Sequence, residues 1–155
     1  MPADGTSVIQ PGQPLDSLGA HQVDFGCNRP SLGQIRPMSA GQAGRRPESA
    51  ASALAVLAHA RDLLIDQQRW CQGAFARSWF NVPVPPQSAL ARRFCAIGAI
   101  MRAGRELQLR TQDACVALEW QTARPIEEWN DDRVRTYAEV IAAFEAALLS
   151  VRGAV

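Results

Sequence analysis

Apolar positions along the chain change character near residue 47. Before it, bulky apolar residues are few and scattered. After it they recur at three- and four-residue intervals. Leu54, Leu57, Leu64 and Ile65 fall on one helical face, while Asp62, Asp66 and Arg69 fall on another. The spacing predicts a first helix from Pro47 to about Arg69. Pro47 and Glu48 suit its first turn, where proline forfeits no hydrogen bond and an acid meets the positive helix end. Residues 78–87 (Ser-Trp-Phe-Asn-Val-Pro-Val-Pro-Pro-Gln) hold three prolines in four positions and are expected to be extended, not helical. Ser88 is then the expected N-cap of a second helix. Leu90, Phe94, Ile97 and Met101 would form its buried stripe, and Gly104 its stop.

A third helix is expected from Arg105 to Thr122, with Leu107, Ala114, Cys115 and Leu118 inward; Thr111 could instead cap a separate piece. The acidic stretch from Arg124 to Asp132 reads as a turn with room for one short helical turn. Thr136-Tyr-Ala-Glu139 has the spacing of a capping box. It opens a last helix carrying Tyr137, Val140, Ile141, Phe144, Leu148 and Val151 on one side. The predicted fold class is therefore all-α, a small bundle of about four helices over residues 47–155.

Residues 1–46 hold seven of the 11 glycines and five of the 10 prolines. Such a segment cannot bury enough surface to offset its ordering entropy, so it is expected to be a disordered arm. Met38 is an alternative start, which would leave 1–37 untranslated.

With 155 residues the chain has length for one domain and a sizeable core. Its 16 basic side chains are all arginine, against 15 acidic ones. The absence of lysine excludes Schiff-base and P-loop chemistry, and the near balance of charge weighs against nucleic acid as a partner. No apolar run approaches the ~20 residues of a membrane span, and Met1-Pro-Ala-Asp-Gly lacks the basic start and apolar run expected of a secretory leader. Cys27, Cys71, Cys95 and Cys115 contain no CxxC pair, which suits reduced thiols in the cytoplasm.

Candidate chemistry is sparse. Cys71 would need a base within hydrogen-bond reach to act as a nucleophile, and His59 lies about 18 Å away along an unbroken helix. A small buried thiol is the favoured reading. Glu127, Glu128, Asp131 and Asp132 could hold a hard cation, yet the EF-hand spacing and glycine are missing, so a solvated acidic turn is preferred. No catalytic residue, metal site or cofactor is assigned. Gly73 and Gly98 belong to no phosphate-binding fingerprint and are attributed to close packing. Residues 92–110 carry a local charge of +4, from a basic patch of Arg92, Arg93, Arg102, Arg105 and Arg110 against Glu106. Residues 119–132 carry −4. Either the two stretches pair across the fold, or the arginines meet an acidic partner or RNA. Trp129, Asn130 and Asp131 form either a structural turn or, with Trp70 and Gln72, the wall of a shallow pocket for a small polar ligand.

Trp70-Cys-Gln-Gly-Ala, Cys95-Ala-Ile-Gly-Ala-Ile, Trp129-Asn-Asp and Thr136-Tyr-Ala-Glu-Val occur in that order. The set resembles a family of small bacterial and phage proteins catalogued only as a domain of unknown function, over about residues 54–149. The resemblance departs at 78–86, where relatives carry a polar, Asp/Gly-containing loop in place of Trp-Phe and prolines. It implies a shared fold unit and brings no activity with it. The functional expectation is a non-catalytic interaction or regulatory protein, phage-linked if the resemblance holds, with an unidentified protein partner. The alternative is a small polar-ligand binder or cryptic enzyme built on Trp70, Gln72, Trp129, Asn130 and Asp131.

Overall fold

The computed structural model describes residues 47–153. The expected arm over 1–46, the alternative start at Met38 and Cys27 lie outside the described residues. Among these residues the elements run α1 (Pro47–Leu63), β1 (Ala76–Ser78), β2 (Ala91–Phe94), α2 (Ala96–Leu107), α3 (Gln112–Thr122), α4 (Ile126–Asn130) and α5 (Tyr137–Gly153). The described residues are mostly helical, as the periodicity implies. The fold is not all-α, because β1 and β2 pair antiparallel, with Ala76 opposite Phe94 and Arg77 opposite Arg93. The helix α1 packs against α2, α3 and α5. Leu57, Leu64, Phe94, Ile100, Leu118, Ile126, Phe144 and Leu148 fill the space between the elements, all essentially inaccessible to water.

Three element boundaries differ from the sequence expectation, each for a tertiary reason. The first helix ends at Leu63 rather than near Arg69. The Tyr137 hydroxyl, arriving from α5, bonds to the carbonyls of Leu64 and Ile65 at 2.8 and 2.7 Å. The single hydroxyl proton, shared between them, gives those carbonyls a partner without another helical turn. Asp66 then caps a 3-10 turn at Gln67–Arg69, its Oδ1 accepting from Gln68 N. Ile65, expected inward, is exposed.

The second helix begins at Ala96, not after Ser88. Ser88 closes a turn instead, its Oγ accepting from Leu90 N and its carbonyl from Ala91 N. Leu90 points to solvent. Ala91 and Phe94 are buried by strand pairing, and the helical part of the stripe starts only at Ile97. Cys95 is the true N-cap, with Sγ accepting from Gly98 N at 3.3 Å. The i, i+4 spacing of Leu90 and Phe94 is also met by a strand that turns into a helix, so periodicity alone could not place the junction.

The third difference is the end of α2. Gly104 does not stop it; the helix continues to Leu107 and ends at Gln108, which adopts a left-handed φ of 56°. Gly104 is needed for space, since a Cβ there would lie 2.2 Å from Thr111 Cγ2. The chain reverses through Leu109 and Arg110, and α3 starts at Gln112, with Thr111 at the N-cap position but no side-chain cap bond. Leu107 is therefore exposed rather than inward.

Elsewhere the pattern holds. Residues 78–87 contain no helix. In the capping box, Thr136 N donates to Glu139 Oε2 at 2.8 Å and Glu139 N donates to Thr136 Oγ1 at 3.3 Å. The bonds that Thr136 N and Thr136 Oγ1 donate to the Glu139 carboxylate hold that carboxyl below the usual range. What they contribute to stability is present above the ordinary carboxylate pKa and is lost as pH falls through the lowered one. Among the described residues no helix is long and apolar enough to cross a membrane.

Candidate functional site

The structure brings Trp70, Gln72, Asn130 and Asp131 together. Asn130 ends α4 and is fully buried. Its Oδ1 accepts from Trp70 Nε1 at 2.9 Å and from Ala96 N at 3.1 Å. Its Nδ2 donates to the Cys71 carbonyl at 3.2 Å and to Asp131 Oδ1 at 2.7 Å. Both lone pairs and both protons of the amide are thus engaged. From the other side, Gln72 Nε2 donates to the carbonyls of Asn130 and Asp132 at 2.7 and 3.0 Å. One asparagine therefore joins α4, the strand-like segment at 70–72 and the first turn of α2, where Ala96 N would otherwise be an orphan helix donor.

This is more than a turn closing on its own side chains. A turn of this kind needs only bonds to its own backbone; instead Asn130 reaches partners 34 to 60 residues away in the chain. Trp129 faces inward, 7% exposed, with the Arg135 guanidinium 4.4 Å above its ring. Arg135 Nε also donates to the Trp129 carbonyl at 3.1 Å, tying the exit of α4 to the start of α5. Trp70 is half-buried and tilts against Tyr137, ring centroids 6.5 Å apart.

The thiols beside this network are protonated at neutral pH. Burial pushes Cys71 up to about 11 and Cys95 up to about 12. His59 pairs with Glu106 at 2.6 Å, away from either thiol. Glu127, Glu128, Asp131 and Asp132 do not converge on a cation site; no such cluster exists among the described residues. Gly98 does serve close packing, since a Cβ there would sit 1.8 Å from the Phe75 carbonyl oxygen. Gly73 has another reason: its φ of +71° suits glycine, while a Cβ there would meet Arg77 Nη2 at an ordinary 3.5 Å.

The basic patch divides. Arg102 turns inward, donating to the carbonyls of Pro86 and Ser88 at 3.2 Å and pairing with Glu106. Arg105 stays on the surface. Arg92 and Arg93 instead line a cleft of about 490 Å³ with Asp66, Gln68, Arg69 and Trp79. Beside it stands a feature that sequence reasoning missed, a tight hairpin tip at 78–82. Ser78 N donates to the Val82 carbonyl at 2.8 Å, Asn81 N to the Ser78 carbonyl at 3.0 Å, and Val84 N to the Ala76 carbonyl at 3.0 Å. Asn81 takes φ 62°, a conformation asparagine tolerates better than most residues. Two arginines brace it: Arg77 Nη1 donates to the Asn81 carbonyl and Arg93 Nη1 to Asn81 Oδ1. The tip holds Trp79 and Phe80 81% and 86% exposed. Alternation across Ala76-Arg-Ser78 and Val82-Pro-Val84 about an asparagine was the available signal; the prolines obscured it.

No curated protein and no solved structure matches the chain. A family match covers residues 48–148, from the first turn of α1 to the last turns of α5. The chain belongs to DUF6197, a family of unknown function.

Proposed function

We propose that this protein is a non-catalytic interaction or regulatory domain that docks a protein partner through the Trp79–Phe80 tip. The observation that carries this is two adjacent aromatics held in solvent on a braced turn. Exposed aromatics beside arginines have the composition of binding hot spots. A floppy loop could fold them away, but this one is pinned by Arg77, Arg93 and the Ser78 bonds. Arg69, Arg92 and Arg93 around the tip have no carboxylate partner among the described residues, which suits a partner with an acidic rim. The tip falls where the chain departs from the resemblance, so the specificity it confers would be this protein's own. A cytoplasmic, phage-linked setting accords with the resemblance.

The second reading, a polar-ligand pocket on Trp70, Gln72, Trp129, Asn130 and Asp131, has less support. Asn130 has no hydrogen-bonding capacity left for a ligand, and Trp129 is buried. What remains open to one is Asp131, exposed beside the groove formed by Gly73, Ala74 and Phe75, and the amide oxygen of the half-buried Gln72.

The test compares proteins crosslinked to three versions of the chain in its native host. Trp79→Ser with Phe80→Ser should lose the wild-type partner. Trp120→Ser, which alters an equally open tryptophan on α3, should keep it. All three should melt at the same temperature. An unchanged partner set in the tip variant would contradict the proposal.

A further inference from the structure

We infer that the docking partner is a second copy of this chain, each copy's aromatic tip seated in the other's acid-rimmed groove about a twofold axis. The inference rests on the tip being a docking surface, and names what it docks.

The first observation is that the chain carries both halves of such a contact. The tip is apolar with an arginine rim. The groove, about 280 Å³, has an apolar floor of Gly73, Ala74, Phe75 and Cys95 and carboxylates at Glu127 and Asp131. Phe75, itself partly exposed, offers the groove an aromatic lip.

The second observation concerns the opposed charge runs. The ion pairs of Arg102 and Arg124 lie within their own runs, not between the two. Arg102 pairs with Glu106 inside the basic run, and Arg124 with Asp132 inside the acidic one, at 3.7 Å. Among the described residues, Arg92, Arg93 and Arg105 on one side and Glu127, Glu128 and Asp131 on the other thus keep opposite charges that form no ion pair with each other. The complement of each is present on every other copy.

The third observation is that tip and groove share one face. Arg77 lies between them: Nη1 donates to the Asn81 carbonyl of the tip, Nη2 to the Gln72 carbonyl at the groove's edge. That same Nη2 lies 3.5 Å from where a Cβ on Gly73 would stand. A knob and a groove side by side on one surface are self-complementary under a twofold rotation. The contact then closes as an isologous dimer instead of propagating as a filament.

The experiment is sedimentation velocity on the full chain at increasing concentration. Wild type should approach twice the 16.8 kDa monomer mass by about 200 µM, well above a micromolar dissociation constant. Added salt should weaken it, since the rim charges are exposed. Trp79→Ser with Phe80→Ser should weaken association roughly thirtyfold or more. Arg92→Glu and Glu127→Arg should each give a monomer where wild type is a dimer. Neither position holds the fold: Arg92 bonds only to the nearby carbonyls of Ala89 and Ala91, and both residues are exposed. Mixed in equal amounts, these two charge-reversal variants should form a heterodimer, because both tip–groove contacts are then of opposite sign. Matching melting temperatures exclude misfolding as the cause of any lost dimer.

A monomeric wild type at the highest concentration overturns the inference. So does a dimer indifferent to all three variants, or a pair of charge variants that stays monomeric when mixed. If the wild type is monomeric while the tip variant loses a different protein in the crosslinking comparison, the docking surface stands and self-association falls. If both experiments fail, both readings fall.

Discussion

Asn130→Ala is expected to lower the stability of the domain by roughly 3–5 kcal/mol, the range in which a buried hydrogen-bonding network is broken. Three buried groups lose their partner at once: Trp70 Nε1, Ala96 N and the Cys71 carbonyl. Each costs about 1–3 kcal/mol when left unsatisfied, and water entering the hole recovers part of that. A side chain that merely closed its own turn would cost only about 1 kcal/mol. Chemical denaturation of the variant distinguishes the two. Asn130→Asp sharpens the comparison. A carboxylate keeps both acceptor bonds but faces the Cys71 carbonyl and the Asp131 carboxyl as a buried anion. The fold would raise that carboxyl's pKa, so stability is fully present below the ordinary aspartate pKa and lost as pH rises through the raised one. The deficit relative to wild type should therefore shrink as pH falls. A deficit that widens in acid would contradict this environment for Asn130.

Gly98→Ala is expected to be nearly as damaging, losing more than about 3 kcal/mol, at or beyond the upper end of ordinary overpacking. The added Cβ would lie 1.8 Å from the Phe75 carbonyl oxygen and 2.7 Å from its carbon. Those are backbone atoms, and the same carbonyl accepts from Cys95 N at 3.1 Å. Relief would require α2 to move off the segment beneath it, and with it the N-cap at Cys95. Gly153→Ala, with nothing within 4 Å, provides the control and should be neutral or mildly stabilising. A Gly98→Ala protein that melts with wild type would show that α2 and residue 75 are not in this contact.

Both substitutions act at points where distant segments meet, which is also where sequence reasoning reached its limit. Helical periodicity located α1 and α5, and the Thr136–Glu139 spacing marked where α5 begins, because these are local properties of neighbouring residues. The junction at 88–96 was not legible. Leu90, Phe94 and Ile97 fit a continuous helix, and only pairing with Ala76–Ser78 turns the first part into strand. The end of α1 likewise depends on Tyr137, 72 residues beyond Ile65 in the chain. Trp70, Gln72, Trp129, Asn130 and Asp131 could be grouped from the sequence only as the walls of an alternative ligand pocket. Their actual arrangement was not legible, since an amide that satisfies four partners and one that faces a ligand have the same sequence. The hairpin tip was hidden by its prolines, which excluded helix without revealing that the chain doubles back.

The most direct test of the account as a whole is hydrogen exchange at the tryptophan indoles, followed in a single series of spectra. The claim is that Trp70 belongs to a closed structural lock while Trp79 stands in solvent for a partner. Trp70 Nε1–H is bonded to the fully buried Asn130, so its exchange should require the domain to open, slowing it roughly a thousandfold or more. The indole of Trp79, on a residue 81% exposed, should exchange before the first spectrum is recorded. Comparable rapid exchange at Trp70 and Trp79 would mean that the Asn130 network is open to solvent, and the constellation would have to be read as a ligand pocket after all.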